Sequence, residues 1–262
     1  MTVLALTMQK GGVGKTTTTL GVGTELAQAG LRVLLIDLDP QSNLTMALGI
    51  NPEELQHSVY EVLLNPTAGA DFAIVPTAYG PDLIPATLEL AGAELTLAGR
   101  FGRELLLRTA LNETRYNYDF VLIDSPPSLG LFTVNAMVAA DEILVPLQAH
   151  VFARKAMPQL ESTIALVRQS NPLLQIGGIV VTMVDRRTSV NQLIEESIRE
   201  TYGDLVYATV IPFNVRLVEA PAAGQPISRY APDSAGARAY RDLTQELLQR
   251  YGIKQTTTQG TD

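Results

Sequence analysis

The sequence predicts an α/β fold: a doubly wound, mostly parallel β-sheet flanked by helices. Short apolar runs rich in β-branched residues alternate along the chain with helical patterns. Most of these runs are continuous, as is typical of strands that are buried on both faces of a parallel sheet. The alternation of strand and helix favours right-handed crossovers within one sheet. The chain has 262 residues, 46% of them hydrophobic, which is enough for one large domain with a buried core.

The predicted strands lie at six apolar runs, and one further short strand is expected in the least regular part of the chain, residues 49–102. The six runs are Val3–Met8, Val33–Ile36, Phe120–Ile123, Ile143–Leu147, Ile176–Val184 and Leu205–Ile211. The further strand is expected at Phe72–Pro76. In sheets of this kind, ligands bind outside the carboxyl ends of the strands. Chemically active side chains are therefore expected where these runs end.

The predicted helices follow these strands. The first, Thr16–Ala29, is amphipathic and ends at Gly30, a residue type that commonly stops helices. Further helices are predicted at Arg103–Leu111, Met157–Gln169, Thr188–Thr201 and Ser234–Tyr251. Residues 1–252 are predicted to form a single domain, and the mostly polar residues 253–262 are predicted to form a disordered tail.

Composition excludes several classes of site. The chain has no cysteine, which excludes disulfides, thiolate metal sites and iron–sulfur clusters. It shows neither a signal-peptide pattern at its start nor an apolar run of about 18 residues, so we expect a cytoplasmic protein without a membrane span. The net charge of −8 argues against nucleic-acid binding on average, although such binding depends on local patches rather than on the mean.

The most informative segment is the glycine-rich loop that follows the first predicted strand. It consists of Lys10, Gly11, Gly12, Val13, Gly14, Lys15, Thr16 and Thr17. Glycines let backbone N–H groups curl around an anion, and the following helix points its positive dipole end at the same place. Residues 11–17 are therefore predicted to bind nucleotide phosphates, with Lys15 on the β- and γ-phosphates and the Thr16 hydroxyl on Mg²⁺. The alternative is a turn that binds nothing, and the order of strand, loop and helix argues against it.

Acidic residues follow two other predicted strands. Asp124 could hold Mg²⁺, directly or through water, opposite Thr16, and the alternative is that it only caps a turn. Asp37 and Asp39 are two residues apart, and such residues face the same way on an extended chain. Asp39 is the candidate for orienting the attacking water, and Asp37 is the candidate for supporting Mg²⁺ or the loop. The alternative for this pair is a polar strand exit, since Asp-Pro often starts a turn.

Together these segments resemble one family. Gln9 replaces the first glycine of the usual phosphate-loop pattern, and a second lysine, Lys10, stands at the mouth of the loop. The resulting motif, K-G-G-x-G-K-T, is similar to the deviant Walker A loop of the ParA/MinD group of P-loop ATPases. Asp37–Asn43 and Asp124–Gly130 resemble switch I and switch II of ParA, and Ile211–Ile227 resembles another ParA segment. The resemblance spans nearly the whole chain and is to the short ParA/Soj type, which lacks an N-terminal DNA-binding extension.

The resemblance implies a mechanism with ATP and Mg²⁺ as cofactors. Two subunits would close face to face in the ATP state, with Lys10 of each contacting the nucleotide of the other, and Lys10, Lys15 and Asp39 would be the catalytic residues. The closed homodimer would bind double-stranded DNA without sequence preference, which would place it on the nucleoid. A ParB-like centromere-binding protein would stimulate slow hydrolysis and release the DNA, so that chromosomes or plasmids are segregated.

The same resemblance implies contacts for adenine and for DNA. The adenine contacts would be Met183, Pro212 and Asn214, and the DNA contacts would be Arg187 and Arg216, with Arg186 and Arg229 as secondary candidates. Arginines on phosphates give affinity without sequence readout. The alternative is ordinary surface arginines, since residues 181–229 contain five basic and six acidic side chains. Phe213 also stands where family members usually have arginine, which weakens the DNA expectation.

Three other functions fit parts of the pattern. A MinD-like ATPase at a membrane surface would end in a basic amphipathic helix, whereas residues 253–262 have one lysine and no apolar face. An ATPase that positions another cargo would have the same core and differ in its partner. A metabolic P-loop enzyme or kinase would need a second substrate site, and the paired lysines and switch-like segments argue against it.

Overall fold

One β-sheet organises the part of the chain that this computed structural model describes, residues 1–150 and 153–253. Its strands are β1 Thr2–Leu6, β2 Val33–Asp37, β3 Val75–Pro76, β4 Asp82–Ile84, β5 Phe120–Asp124, β6 Glu142–Gln148 and β7 Gln175–Thr182. They pair in the order β3-β4-β2-β5-β1-β6-β7. All of these pairings are parallel except that of β3 with β4. The predicted fold class, a doubly wound and mostly parallel sheet, is confirmed.

Helices cover both faces of the sheet. They are α1 Lys15–Gln28, α2 Asn43–Ala47, α3 Val59–Leu64, α4 Leu90–Leu97, α5 Leu106–Thr114, α6 Leu131–Ala139, α7 Ala153–Val167, α8 Ser189–Tyr202, α9 Arg216–Ala222, α10 Ile227–Tyr230 and α11 Ala235–Arg250. Among the helices of residues 1–150 and 153–253, none is long and apolar enough to cross a membrane.

Alternate side chains of the central strands enter different halves of the core. Val3 of β1 belongs to a hydrophobic cluster that includes Ala136 of α6. The next residue, Leu4, belongs to a second cluster that includes Leu20 of α1. Successive strand residues point to opposite faces, and here helices cover both faces. This is why the strands are continuous apolar runs in the sequence.

The predicted strand at Leu205–Ile211 is wrong. In the described part of the chain, this region meets β7 at one isolated bridge and through two backbone hydrogen bonds, and not through a continuous ladder. The Arg199 guanidinium donates to the carbonyls of Tyr207 and Ala208 at 2.9 and 3.2 Å. The Glu246 carboxylate accepts from the Ala208 amide at 2.7 Å. Because side chains satisfy these backbone groups, the segment needs no strand partner for them, despite its apolar composition.

The least regular part of the sequence differs from the prediction in smaller ways. Of the strand expected at Phe72–Pro76, only the last two residues pair, because Asp71–Ala73 forms a 3₁₀ turn. Strand β4 was not predicted, since its three residues are too few to show a pattern. Of the predicted tail, Ile253 packs against the α1 side of the core, and residues 254–262 lie outside the described residues.

Candidate nucleotide-binding site

Three parallel strands bring polar residues to one edge of the sheet. Strand β1 ends at Leu6 and leads into the glycine-rich loop, while β2 and β5 end at Asp37 and Asp124. Asp124 is the register partner of Leu6 on one side and of Asp37 on the other. The loop and both acidic segments therefore lie together at the carboxyl edge, where parallel sheets place their ligands.

A cavity of about 940 Å³ opens at this edge. Its walls are formed by the glycine-rich loop, parts of residues 39–52, Pro127, Met183 and residues 221–224. The volume falls in the range of about 300–1,000 Å³ that is typical of small-molecule and cofactor sites. The cavity is therefore large enough for a nucleotide.

The loop has the backbone geometry of an anion site. Gly12 and Gly14 have φ angles of 69° and 92°, a left-handed conformation that glycine adopts readily. The buried Val13 fixes the middle of the loop, because its carbonyl accepts the Thr182 hydroxyl at 2.8 Å. Helix α1 begins at Lys15, and Gly14 offers no side-chain cap. The first N–H groups of α1 are thus available to an anion.

Lys15 is a nearly buried cation at the base of the loop, with 7% of its surface exposed. Burial lowers the pKa of its ammonium group, and the charges of Asp124 and Asp39 oppose that shift. A buried charge is stabilised by an opposite charge nearby. An anionic ligand in the cavity would therefore stabilise the charged form of Lys15.

Thr16 lines the cavity and forms a hydrogen-bonded pair with the buried Asp124. The Thr16 hydroxyl donates to Asp124 Oδ2 at 2.6 Å. Asp124 is fully buried, and burial, together with the charge of Asp37, raises its pKa to about 8. A hydroxyl beside a carboxylate is a pair of oxygen ligands that suits Mg²⁺. The described residues contain no group of three His, Cys, Asp or Glu placed to hold a metal. In proteins, Mg²⁺ is commonly held by one or two such ligands together with substrate phosphates.

Asp37 and Asp39 leave β2 towards different partners. The fully buried Asp37 accepts the Thr45 amide and hydroxyl at 2.9 and 2.8 Å, and the Asp39 amide at 3.1 Å. Burial raises the pKa of Asp37 to about 6, and these hydrogen bonds oppose the shift. Asp39 instead lines the cavity, where it accepts the Gln41 amide at 2.9 Å. Asp37 thus anchors the segment that carries Asp39, and a direct role on Mg²⁺ stays a prediction.

Lys10 lies at the mouth of the loop and is bound to its own chain. Its Nζ donates to Gln148 Oε1 at 2.7 Å, and both residues are partly exposed. Gln148 is the last residue of β6. Gln148 was not predicted as a site residue, although its position at the carboxyl end of a predicted strand is a usable signal.

Of the three residues predicted to contact adenine, one lines the cavity. Among the described residues, Met183 lines the cavity and has a left-handed φ of 55°, whereas Pro212 and Asn214 do not line it. Asn214 instead accepts the Arg216 amide at 2.9 Å, next to the start of α9. The small residues 221–224 at the end of α9 also line the cavity. They lie within the ParA-like segment 211–227, but no side chain there signalled a ligand.

Two glycines bring the segment after α2 against the end of α9 on the cavity wall. Gly49 and Gly224 have φ angles of 75° and 64°. A Cβ on Gly224 would lie 3.1 Å from the Gly49 Cα, so the two backbones are in direct contact. The Tyr79 hydroxyl donates to the Gly224 carbonyl at 3.0 Å and holds this corner in place.

The two candidate DNA-binding arginines are exposed, and each is paired with an acidic neighbour. The Arg187 side chain is 85% exposed and donates to Asp185 at 2.8 Å. The Arg216 side chain is 54% exposed and donates to Glu219 at 2.7 Å. The secondary candidates, Arg186 and Arg229, are also exposed. The positive charges of Arg187 and Arg216 are therefore partly offset by these acidic neighbours.

Comparison with known proteins identifies the family. The model of a family described as an AAA domain matches residues 1–176. The sporulation initiation inhibitor protein Soj of Bacillus subtilis is 45% identical over 246 residues, which cover 94% of this chain and 97% of Soj. The chromosome partitioning protein ParA of Caulobacter vibrioides is 47% identical over 251 residues, which cover 95% of this chain and 94% of ParA. The chain belongs to the ParA/Soj family of partition ATPases. The resemblance seen in the loop and the two switch-like segments is confirmed.

A crystal structure from another organism has the same fold as this ParA-family chain. It is described as cobyrinic acid a,c-diamide synthase from Mycobacterium smegmatis with bound ADP and magnesium. Its sequence is 40% identical, the match covers 96% of each chain, and the TM-score is 0.83. This relative thus holds a nucleotide and a magnesium ion on the fold that is described above.

Proposed function

We propose that this ParA-family chain is an ATP- and Mg²⁺-dependent ATPase that segregates DNA. It closes into a homodimer in the ATP state, binds double-stranded DNA without sequence preference and acts with a ParB-like centromere-binding protein that stimulates its slow hydrolysis. It works in the cytoplasm and is associated with the nucleoid while ATP is bound. The observation that carries the proposal is the buried Lys15 beside the Thr16–Asp124 pair at one cavity.

The site suits ATP and Mg²⁺ for reasons of charge and geometry. The N–H groups of residues 11–17 surround the phosphates, and Lys15 neutralises them from below. Thr16 and Asp124 hold Mg²⁺, and Asp37 supports them from the neighbouring strand. When bound, Mg²⁺ supplies positive charge that offsets the charge developing on the transferred phosphoryl group.

Asp39 is the residue that orients the attacking water in this proposal. It lines the cavity and is 8% exposed, so its carboxylate stands close to the space that the nucleotide occupies. The hydrogen bond from its amide to Asp37 fixes its backbone. A fixed carboxylate can accept a hydrogen bond from water and hold it in line with the phosphate.

Lys10 links nucleotide state to dimerisation. It lies at the mouth of the loop with its ammonium group partly exposed, where a second subunit can approach. A lysine that reaches the nucleotide of a partner stabilises the closed dimer only when phosphates are present, because the attraction is between the ammonium and those phosphates. ATP binding and dimerisation then both depend on the contact between the Lys10 ammonium and the phosphates bound by the partner subunit.

We assign DNA binding to Arg187 and Arg216, because the ParA resemblance implies DNA contacts at these positions and both side chains are exposed. In this proposal both arginines contact DNA phosphates and neither contacts a base edge. Each must exchange its acidic partner, Asp185 or Glu219, for a DNA phosphate. Binding of this kind weakens steeply as salt rises, since counterions are released from the DNA. The salt dependence of DNA binding is therefore a direct test of whether these arginines contact phosphates.

A second candidate function follows from the name of the Mycobacterium smegmatis relative, which indicates an enzyme acting on cobyrinic acid. An enzyme of that kind would consume ATP in the presence of the acid and would not need DNA. An ATPase that positions a different cargo is the other outcome, with the same core and another partner.

The deciding experiment measures binding to non-specific duplex DNA with ATP, ADP or no nucleotide, over a series of salt concentrations. We expect binding that requires ATP and weakens as salt rises. Lys15→Ala is the matched control, since it removes the phosphate contact and leaves Arg187 and Arg216 in place. ATP-driven dimerisation without DNA binding would move the cargo from DNA to another partner. ATP turnover that depends on cobyrinic acid would favour the second candidate.

A further inference from the structure

Gln148 occupies a fixed position beside the glycine-rich loop. It ends β6 and is the register partner of Thr182, the last residue of β7. The Ala149 amide continues this pairing by donating to the Thr182 carbonyl at 3.1 Å. The backbone of Gln148 is thus held by the sheet up to its carboxyl edge.

The ends of β6 and β7 hold the loop at two points. The Thr182 hydroxyl binds the Val13 carbonyl at 2.8 Å in the middle of the loop. The Gln148 side chain binds the Lys10 ammonium at 2.7 Å at its mouth. The first contact fixes backbone, whereas the second fixes the end of a long, flexible side chain. Gln148 therefore determines where the charge of Lys10 rests in the single chain.

We infer that Gln148 is a positioning residue that keeps Lys10 on its own chain until a partner subunit presents a nucleotide. This inference rests on the proposed action of Lys10 across the dimer. Closure must exchange the neutral Gln148 oxygen for a charged phosphate oxygen, which is the stronger acceptor. The exchange is favourable only when the partner subunit holds a nucleotide. Gln148 therefore disfavours dimerisation of the nucleotide-free protein, because its contact with Lys10 competes with the contact across the dimer.

Two substitutions shift this competition in opposite directions. Gln148→Leu has a similar size and no acceptor, so Lys10 is released. Gln148→Glu is nearly isosteric and offers a charged acceptor, so Lys10 is held more tightly. With a non-hydrolysable ATP analogue and Mg²⁺, we expect the dimer dissociation constant to fall roughly fivefold in Gln148→Leu and to rise by a similar factor in Gln148→Glu. Sedimentation equilibrium measures both.

A second readout reports on Lys10 directly. The chain has four lysines, Lys10, Lys15, Lys155 and Lys254, so peptide mass spectrometry after brief acylation can separate them. In the nucleotide-free protein, we expect Lys10 to be acylated roughly fivefold faster in Gln148→Leu than in the wild type, and more slowly in Gln148→Glu. A purely structural role of Gln148 would not move these rates in opposite directions.

Gln175→Leu is the matched control. It lies at the other end of the same strand pair, where Gln175 donates to Glu142 at 2.8 Å. Its dimer dissociation constant and Lys10 acylation rate should match those of the wild type. If the wild type fails to dimerise with the analogue, the proposed function fails, while acylation still tests the hold on Lys10. If the wild type dimerises and both Gln148 variants behave like Gln175→Leu, the inference about Gln148 is overturned.

Discussion

Asp37 lies beside Asp124 as its register partner on the neighbouring strand, and both carboxylates are fully buried. Their hydrogen-bond partners differ: Asp37 is bound to Thr45 and to the Asp39 amide, and Asp124 to Thr16. Two adjacent carboxylates are costly to bury unless cations and donors offset them. The Lys15 ammonium offsets part of this negative charge. The negative charge that remains favours the binding of a metal ion together with the nucleotide.

Thr45→Val should destabilise the fold. The Thr45 hydroxyl donates to Asp37 at 2.8 Å and accepts the Ala86 amide at 3.0 Å, and valine leaves both buried groups without that partner. We expect a loss of about 1–3 kcal/mol in the free energy of unfolding, measured with urea. Thr45→Ser keeps the hydroxyl and is the control. A valine variant as stable as the serine variant would show that this link is not important.

Lys15→Ala should abolish ATP binding while the protein stays folded. The substitution removes the nearly buried ammonium at the base of the loop, which is the cation predicted to contact the β- and γ-phosphates. Isothermal titration with ATP and Mg²⁺ measures the loss, and thermal unfolding checks the fold. ATP affinity equal to that of the wild type would contradict the assignment of this loop to phosphates.

Asp39→Ala should bind ATP and remain dimeric, with hydrolysis slower by roughly 100-fold or more. The reason is that the variant loses the group proposed to orient water and keeps the loop contacts. Turnover and oligomeric state are measured on the same sample. Asp242→Ala, on the exposed face of α11, is the control and should hydrolyse ATP normally. Unchanged turnover in Asp39→Ala would remove it from this role.

Arg216→Ala should weaken DNA binding and leave ATP affinity unchanged. The dimer carries two copies of Arg216, so the loss of both phosphate contacts should lower the salt slope of binding by about two. The control is Arg32→Ala, an exposed arginine that is also paired with a carboxylate, Asp119, but stands before β2 at the opposite edge of the sheet. An equal loss of DNA binding in both variants would indicate a general charge effect instead of a site.

Glu25 makes stability depend on pH. Burial raises its pKa, and Arg241, at 4.0 Å, only partly opposes this. Because the folded pKa lies above the unfolded one, this contribution to stability is full below the unfolded value and is lost as pH rises through the folded value. Glu25→Gln should therefore be more stable than the wild type at pH 8, with the difference shrinking towards pH 4.5, in urea unfolding. A difference that does not change with pH would exclude Glu25 as its source.

The sequence predicted well those features that depend on burial and poorly those that depend on individual side chains. Strands β1, β2 and β5 are covered on both faces, so their apolar runs were unambiguous. The run Leu205–Ile211 failed because Arg199 and Glu246 take over its backbone hydrogen bonds, which no periodicity reveals. Asp37 and Asp39 were expected to face the same way, as residues two apart do on an extended strand. They have different partners because β2 ends at Asp37.

Part of the site was predictable because its geometry is carried by a contiguous motif. Residues 11–17 form one loop, and its glycines, lysine and threonine are adjacent in sequence. Gln148 reaches Lys10 through strand register, and residues 221–224 reach the cavity at the end of α9, both from distant parts of the chain. Residues 221–224 become visible only when the fold is known, whereas Gln148 had a signal in its position at the end of a predicted strand.

The contact between Gly49 and Gly224 joins the segment that leads from the cavity to the helix that carries the exposed Arg216. Gly49 follows the segment that carries Asp39, and Gly224 follows the helix that begins with Arg216. Because only hydrogen atoms separate the two backbones, Gly49 cannot move towards Gly224 unless the end of α9 moves with it. A displacement of the segment that carries Asp39 would therefore be passed through Gly49 to the backbone at the end of the helix that begins with Arg216.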